Sequence, residues 1–262
     1  IIGGTAGFAI GGPIGAILGV MAGNVYDKSQ RKNFNLHQIS NEQKQKIFAL
    51  SVIILAAKIA KSDGVVTKDE IYAFKEKFKI SSKDMEYVGK IFNEAKNTPY
   101  GYEKIAQQVG QLFLDNKIVL EELLNNLFFI AEADGNISEN ELDFLKSVSL
   151  YFNIDKISFE RIYQSRLIDK ESDPYKVLTA NREDNNETIR KKWIALNKEH
   201  HPDNLLSKGL PQEFIDNGDT YKYESEHTYN EIMKRLDYSG IQNNKINSII
   251  SFQSKFGFSE WI

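Results

Sequence analysis

His201, Pro202 and Asp203 stand in succession at the end of a basic, periodic stretch. Proline drives the residue before it out of the helical region. A helix running up to this point must therefore end, and the tripeptide is presented on a loop. The preceding helix reads from Glu187 to about His200, with Ile189, Trp193 and Leu196 in one core-facing stripe. Arg190, Lys191, Lys192 and Lys198 fall largely off that stripe. Such cations either form a plain solvated face or steer the helix toward an acidic surface. His201 with Asp203 makes a poor catalytic pair, since no nucleophile accompanies them and no substrate pocket can be argued. No catalytic residue and no cofactor are expected. The adjacent His200 and His201 lack the further ligands a metal would need.

Upstream, Asp173-Pro174-Tyr175-Lys176-Val177-Leu178 opens this unit. Asp173 is placed to cap a short helix with Pro174 at its first position, and Tyr175, Val177 and Leu178 offer an apolar face. Downstream, Phe214 begins a broken, polar stretch. Tyr229, Ile232, Met233 and Leu236 have helical spacing and could form a further helix. The tail, with Phe252, Phe256, Phe258 and Trp261, has no evident place.

The middle of the chain, from about Asn41 to Arg166, reads as helices. An apolar run through Ile47, Leu50, Ile54, Ala57 and Ile59 is long enough for a buried helix. Periodic segments come next at Met85 to Ala95, Tyr102 to Leu114, Leu120 to Ala133 and Glu139 to Phe152, with Pro99 and Gly101 marking a break. Two stretches about 71 residues apart echo each other. Asp63-Gly64, Val66, Thr67 and Glu70 correspond to Asp134-Gly135, Ile137, Ser138 and Glu141. Thr67 with Glu70, and Ser138 with Glu141, are capping boxes, in which a hydroxyl accepts from an orphan amide while the glutamate reaches back. The glycines suit turns that need positive φ, and Val66 and Ile137 can plug the loops into the core.

From Ile1 to Tyr26 no side chain is charged. At about 1.5 Å per residue a helix there could cross a ~30 Å hydrocarbon core. Gly3, Gly7, Gly11, Gly15, Gly19 and Gly23 recur every fourth residue and line one helix face. Small residues so spaced let membrane helices approach closely, which points to a homodimer through that face. Lys28, Arg31 and Lys32 come after, and the positive-inside rule puts their side in the cytoplasm. A secretory signal or a glycine-rich surface leader are the competing readings. The first residue is Ile1, so the N-terminus is expected to be cut, processed or incomplete.

Whole-chain totals fit this picture. The 262 residues suit one or two compact units, and 41% hydrophobic residues suffice for a packed core. A net charge of -3 lacks the basic excess of a general nucleic-acid binder, so no nucleic-acid partner is expected. The absence of cysteine excludes disulfides, thiolate zinc sites and cysteine nucleophiles within this chain.

The paired Asp-Gly loops resemble the TerB-like family, an all-helical domain with a pseudo-repeat of this kind. That resemblance implies an interaction or sensing module. It also brings Asp63 and Asp134 under consideration as metal ligands, against the simpler reading that they organise turns and caps. Neither stretch has the ligand density of an EF-hand. The DPYKVL opening, the basic helix and the His201-Pro202-Asp203 signature resemble the J domain of DnaJ co-chaperones. The stretch from Glu199 to Pro211 is closer still to the membrane-anchored DjlA type, which has a membrane segment, a TerB-like middle and a C-terminal J domain. The expected fold is thus all-α. Residues 1–26 form a glycine-zipper transmembrane segment and 27–40 a basic juxtamembrane linker. Residues 41–168 form a TerB-like helical domain, and 172–262 a J-domain helical hairpin with an atypical C-terminal part.

The resemblance implies a co-chaperone, itself no enzyme, on the bacterial inner membrane. It would contact lipid through a single pass, with its domains in the cytoplasm. Its partner would be a DnaK-type chaperone, contacted by His201, Pro202, Asp203, Arg190, Lys191, Lys192 and Lys198. The alternative is a membrane-tethered TerB-like interaction or sensing protein whose J domain is degenerate.

Overall fold

The computed structural model describes residues 41–62, 85–97, 101–133, 135–167, 172–215, 229–230 and 233–234. The apolar N-terminus with its six spaced glycines, the first Asp-Gly loop with Asp63, Val66, Thr67 and Glu70, the carboxylate Asp134, and the aromatic tail lie outside these residues. Ile232 and Leu236 lie outside them too.

Every regular element among the described residues is a helix. The order is α1 (Asn41–Ile59), α2 (Met85–Ala95), α3 (Tyr102–Leu112), α4 (Lys117–Ala131) and α5 (Glu139–Tyr151). It continues with α6 (Lys156–Ser165), α7 (Pro174–Val177), α8 (Asn186–Glu199), α9 (Pro202–Ser207) and α10 (Gln212–Ile215). None of the helices among the described residues is long and apolar enough to cross a membrane.

α1 is the axis of the middle domain. Its sequence is apolar on all sides, and nearly every residue from Ile47 to Ala60 is buried, as a helix without a polar face must be. Helices α2, α3, α4 and α5 pack around it. α4 is the second apolar helix, burying Leu120, Leu123, Leu124, Leu127, Phe128 and Ile130 almost completely. α3 lies on α5 through Tyr102, whose ring centroid is 4.3 Å from that of Phe144 and whose hydroxyl is 3.1 Å from Ser147 Oγ. At Gly110 the two helices are so close that a Cβ would collide with the Tyr151 carbonyl oxygen.

Local signals start and stop these helices where their chemistry requires. Gly101 takes φ +85° ahead of α3, a conformation glycine adopts without strain. At α5 the expected capping box is present. The Glu141 amide donates to Ser138 Oγ at 3.2 Å, and the Ser138 amide donates to the Glu141 carboxylate at 2.8 Å. Gly135 has φ +100°, and Ile137 packs against the core. α6 begins at Asp155, which accepts from the Ser158 amide at 2.8 Å. The Lys117 ammonium and that amide hold the Asp155 carboxyl at about 2, well below the usual carboxylate range.

The C-terminal unit has a small core of its own: Tyr175, Leu178, Ile189, Leu196 and Tyr229, with Ala180, Trp193 and Met233 against it. The stripe predicted for α8 is thus the one that packs. Tyr229 and Met233 supply the opposing side, as their spacing implies, and the Trp193 and Tyr229 rings stack at 4.8 Å.

Candidate functional site

α7 and the loop after it prepare the support for α8. Asp173 accepts from the Tyr175 amide at 3.1 Å, with Pro174 in the first turn. α7 lies on α6, tied by Lys176 Nζ to Glu160 at 2.9 Å and by the Asp173 amide to Gln164 at 2.7 Å. α8 is capped by Asn185, which accepts from the Thr188 amide.

The basic residues of α8 divide by role. Lys192 is held inward: its ammonium donates to the Thr179 carbonyl at 2.9 Å and to Asp184 at 2.7 Å. It closes the polar loop onto the helix. Lys191 is exposed and pairs only one turn back with exposed Glu187, an interaction of little energetic weight. Lys198 is exposed at the last turn and Arg190 is half-buried.

The tripeptide is not the open loop that the proline rule implies. α8 stops at His200, and the chain at once starts another helix, α9. His201 is its N-cap in extended geometry, with ring Nδ1 accepting from the Asp203 amide at 3.2 Å. Pro202 takes the first helical position, where its fixed φ fits and its missing N–H costs nothing. The tripeptide is therefore a rigid helical entry turn. The Asp203 side chain is 88% exposed, while that of His201 is 33% exposed.

Behind the turn lies an arrangement that the sequence did not announce. His200 is buried, and its Nδ1 stands 2.7 Å from a Glu122 carboxylate oxygen. Its Nε2 stands 3.5 Å from Arg161 Nη1. Arg161 also donates to Glu121 at 2.5 Å, and Lys117 lies 3.6 Å from Glu121 at the edge. A carboxylate can only accept and a guanidinium can only donate. The contacts therefore fit the imidazole tautomer with hydrogen on Nδ1 and a bare Nε2. Arg161 is then the buried cation facing the two carboxylates, while the half-exposed Lys117 is shared between Glu121 and Asp155. The available signal was Glu121-Glu122 inside the apolar run of α4: buried acids need partners. Those partners are distant in sequence, on α6 and at the end of α8.

The segment after the turn also joins the middle domain. Leu205, Leu210, Phe214 and Ile215 belong to the same core as α1 and α4. Phe214 meets Phe48 edge-on at 4.9 Å between centroids. Asn116 Nδ2 donates to the Lys208 carbonyl at 2.8 Å, and Gln45 Nε2 to that of Leu210 at 3.4 Å. Among the described residues no group of three or more His, Asp or Glu side chains is disposed to hold a metal ion.

A helical domain built on α1 and α4, followed by a small helical unit with a His-Pro-Asp turn, defines a multi-part all-α protein. Comparison gives the parts. Residues 49–164 match the family model of tellurite resistance protein TerB, and residues 1–37 match that of the co-chaperone DjlA transmembrane domain. Residues 183–262 match the ferrochelatase model. Relatives that align along nearly the whole chain are co-chaperone proteins DjlA. That of Photobacterium profundum is 24% identical over 91% of this chain and 98% of its own length. That of Coxiella burnetii is 26% identical over 89% and 96%. That of Legionella pneumophila subsp. pneumophila is 24% identical over 82% and 87%. No solved structure matches. Along most of its length, then, the chain is similar to the DjlA co-chaperones.

Proposed function

We propose that this protein is a membrane-anchored co-chaperone that recruits a DnaK-type chaperone and stimulates its ATPase through the His201-Pro202-Asp203 turn. The observation that carries the reading is the turn itself. It is a rigid surface corner with the Asp203 carboxylate in solvent, at the end of a helix that carries exposed Lys191 and Lys198. Similarity to the DjlA co-chaperones supports the same reading. In it, the cations of α8 steer the helix to an acidic partner surface, and Asp203 meets a cation there. Pro202 and the His201 cap fix where that carboxylate stands. The protein catalyses nothing itself: it accelerates hydrolysis of ATP held by the partner.

The membrane match over residues 1–37 supports an N-terminal anchor. Lys28, Arg31 and Lys32 after the uncharged run favour cytoplasmic placement of the two helical domains, on a bacterial inner membrane. Gly3, Gly7, Gly11, Gly15, Gly19 and Gly23 would line a homodimer face within it. Residues 41–168 serve as the TerB-like domain and 172–262 as the J domain. Asp63 and Asp134 are assigned to turns and caps ahead of metal binding. One observation favours a second reading, a tethered TerB-like interaction protein with a degenerate J domain: residues 205–215 pack into the middle domain's core.

Single-turnover ATP hydrolysis by DnaK, with and without the full chain, decides between the two. Wild type is expected to accelerate it. Asp203→Asn is expected to abolish the acceleration with the helical circular dichroism unchanged, because that side chain contributes no packing. Stimulation by Asp203→Asn equal to wild type would remove the turn from the mechanism. A wild type that never stimulates would favour the second reading.

A further inference from the structure

We infer that the TerB-like domain positions the His201-Pro202-Asp203 turn through a buried clamp, in which Glu122 of α4 holds His200 while Arg161 of α6 bridges His200 and Glu121. The inference rests on the proposed role of the turn in stimulating a partner ATPase. His200 adjoins the N-cap of α9, so fixing its ring fixes the residue from which the turn departs. The ring is gripped on both nitrogens, at 2.7 Å by Glu122 and at 3.5 Å by Arg161. All four side chains of the clamp are at most 7% exposed. The Glu121–Arg161 bond keeps the guanidinium aimed at Nε2. On the far side of the turn, Leu205 and Leu210 are seated in the middle domain's core and Asn116 holds the Lys208 carbonyl. The turn is therefore bracketed, with its Asp203 side chain left facing solvent. That arrangement presents the turn and does not mask it. It makes Glu122, Arg161 and Glu121 positioning residues: they are buried and act through His200.

The test uses the full chain with Glu122→Ala and Glu122→Gln. Alanine leaves the Nδ1 hydrogen without an acceptor, whereas glutamine retains a carbonyl oxygen for it. Two readouts are taken: amide hydrogen exchange across α4, α5 and α9, and DnaK single-turnover hydrolysis as a function of co-chaperone concentration. The expected result for Glu122→Ala is faster exchange in α9 with protection of α4 and α5 retained. The maximal stimulated rate should fall at least fivefold, while the half-saturating concentration stays within twofold, since the cations of α8 are untouched. Glu122→Gln should restore most of the maximal rate. A purely structural cluster would instead loosen α4 together with α9, or leave the maximal rate alone, and either result overturns the inference. So does unchanged exchange in α9. If wild type stimulates and Glu122→Ala matches it, only the positioning role fails. If wild type gives no stimulation, the functional reading fails and the positioning role falls with it.

Discussion

Ser138 shows how far a single residue can be read. Its hydroxyl and the Glu141 carboxylate form the reciprocal cap of α5 that the Ser-x-x-Glu spacing predicts. Capping is decided within one helical turn, so no distant residue can alter it. Ser138→Ala removes the acceptor for the Glu141 amide and should cost about 0.5–2 kcal/mol, measured as a lower urea midpoint with unchanged slope. The same locality made Asp173 and Gly135 legible. His200 is the opposite case. As a sequence feature it was only half of a histidine pair without further ligands. Its partners, Glu122 and Arg161, stand 78 and 39 positions away. Nothing within a turn of His200 could reveal them, because only the tertiary fold sets that ring between α4 and α6.

Helices were legible where their apolar residues are periodic, and less so where structure interrupts the chain in a new way. α8 occupies its expected span with Ile189 and Leu196 buried. α9 was missed because the proline rule predicts only that a helix must end at His200, and the same proline is a favoured first residue of the next helix. Spacing along α8 likewise shows which cations lie off the apolar stripe, but not which are engaged. Lys192 reaches Asp184 and the Thr179 carbonyl, whereas Lys191 meets only Glu187 among the described ion pairs. The two adjacent residues should therefore respond differently to charge reversal. Lys191→Glu should leave thermal unfolding unchanged and slow association with DnaK, an effect that fades with added salt. Lys192→Glu should place a carboxylate beside Asp184 and lower the unfolding temperature as well. Equal unfolding temperatures for the two variants, followed by circular dichroism, would show that the Lys192 contacts do not hold the loop.

At the scale of the whole molecule, the middle domain takes part of its core from beyond the turn. The central helix α1 opens that domain at Asn41, and it shares one core with Phe214 and Ile215 beyond the turn. Only the order of parts was readable from the sequence. That residues after the turn complete the middle domain's core was not. Leu205, Leu210 and Phe214 are ordinary apolar residues, and Gln45, the α1 residue bonded to Leu210, is 165 positions away. If residues 1–26 span a bilayer, the full chain should stay in the pellet after alkaline carbonate extraction, which strips proteins held by surface charge alone. A chain lacking residues 1–26 should be released. It should keep its helical circular dichroism, since α1 and its neighbours make a core among themselves. Release of the intact chain would show that the apolar run does not insert, and the cations at 28, 31 and 32 would then be holding the protein at a membrane surface.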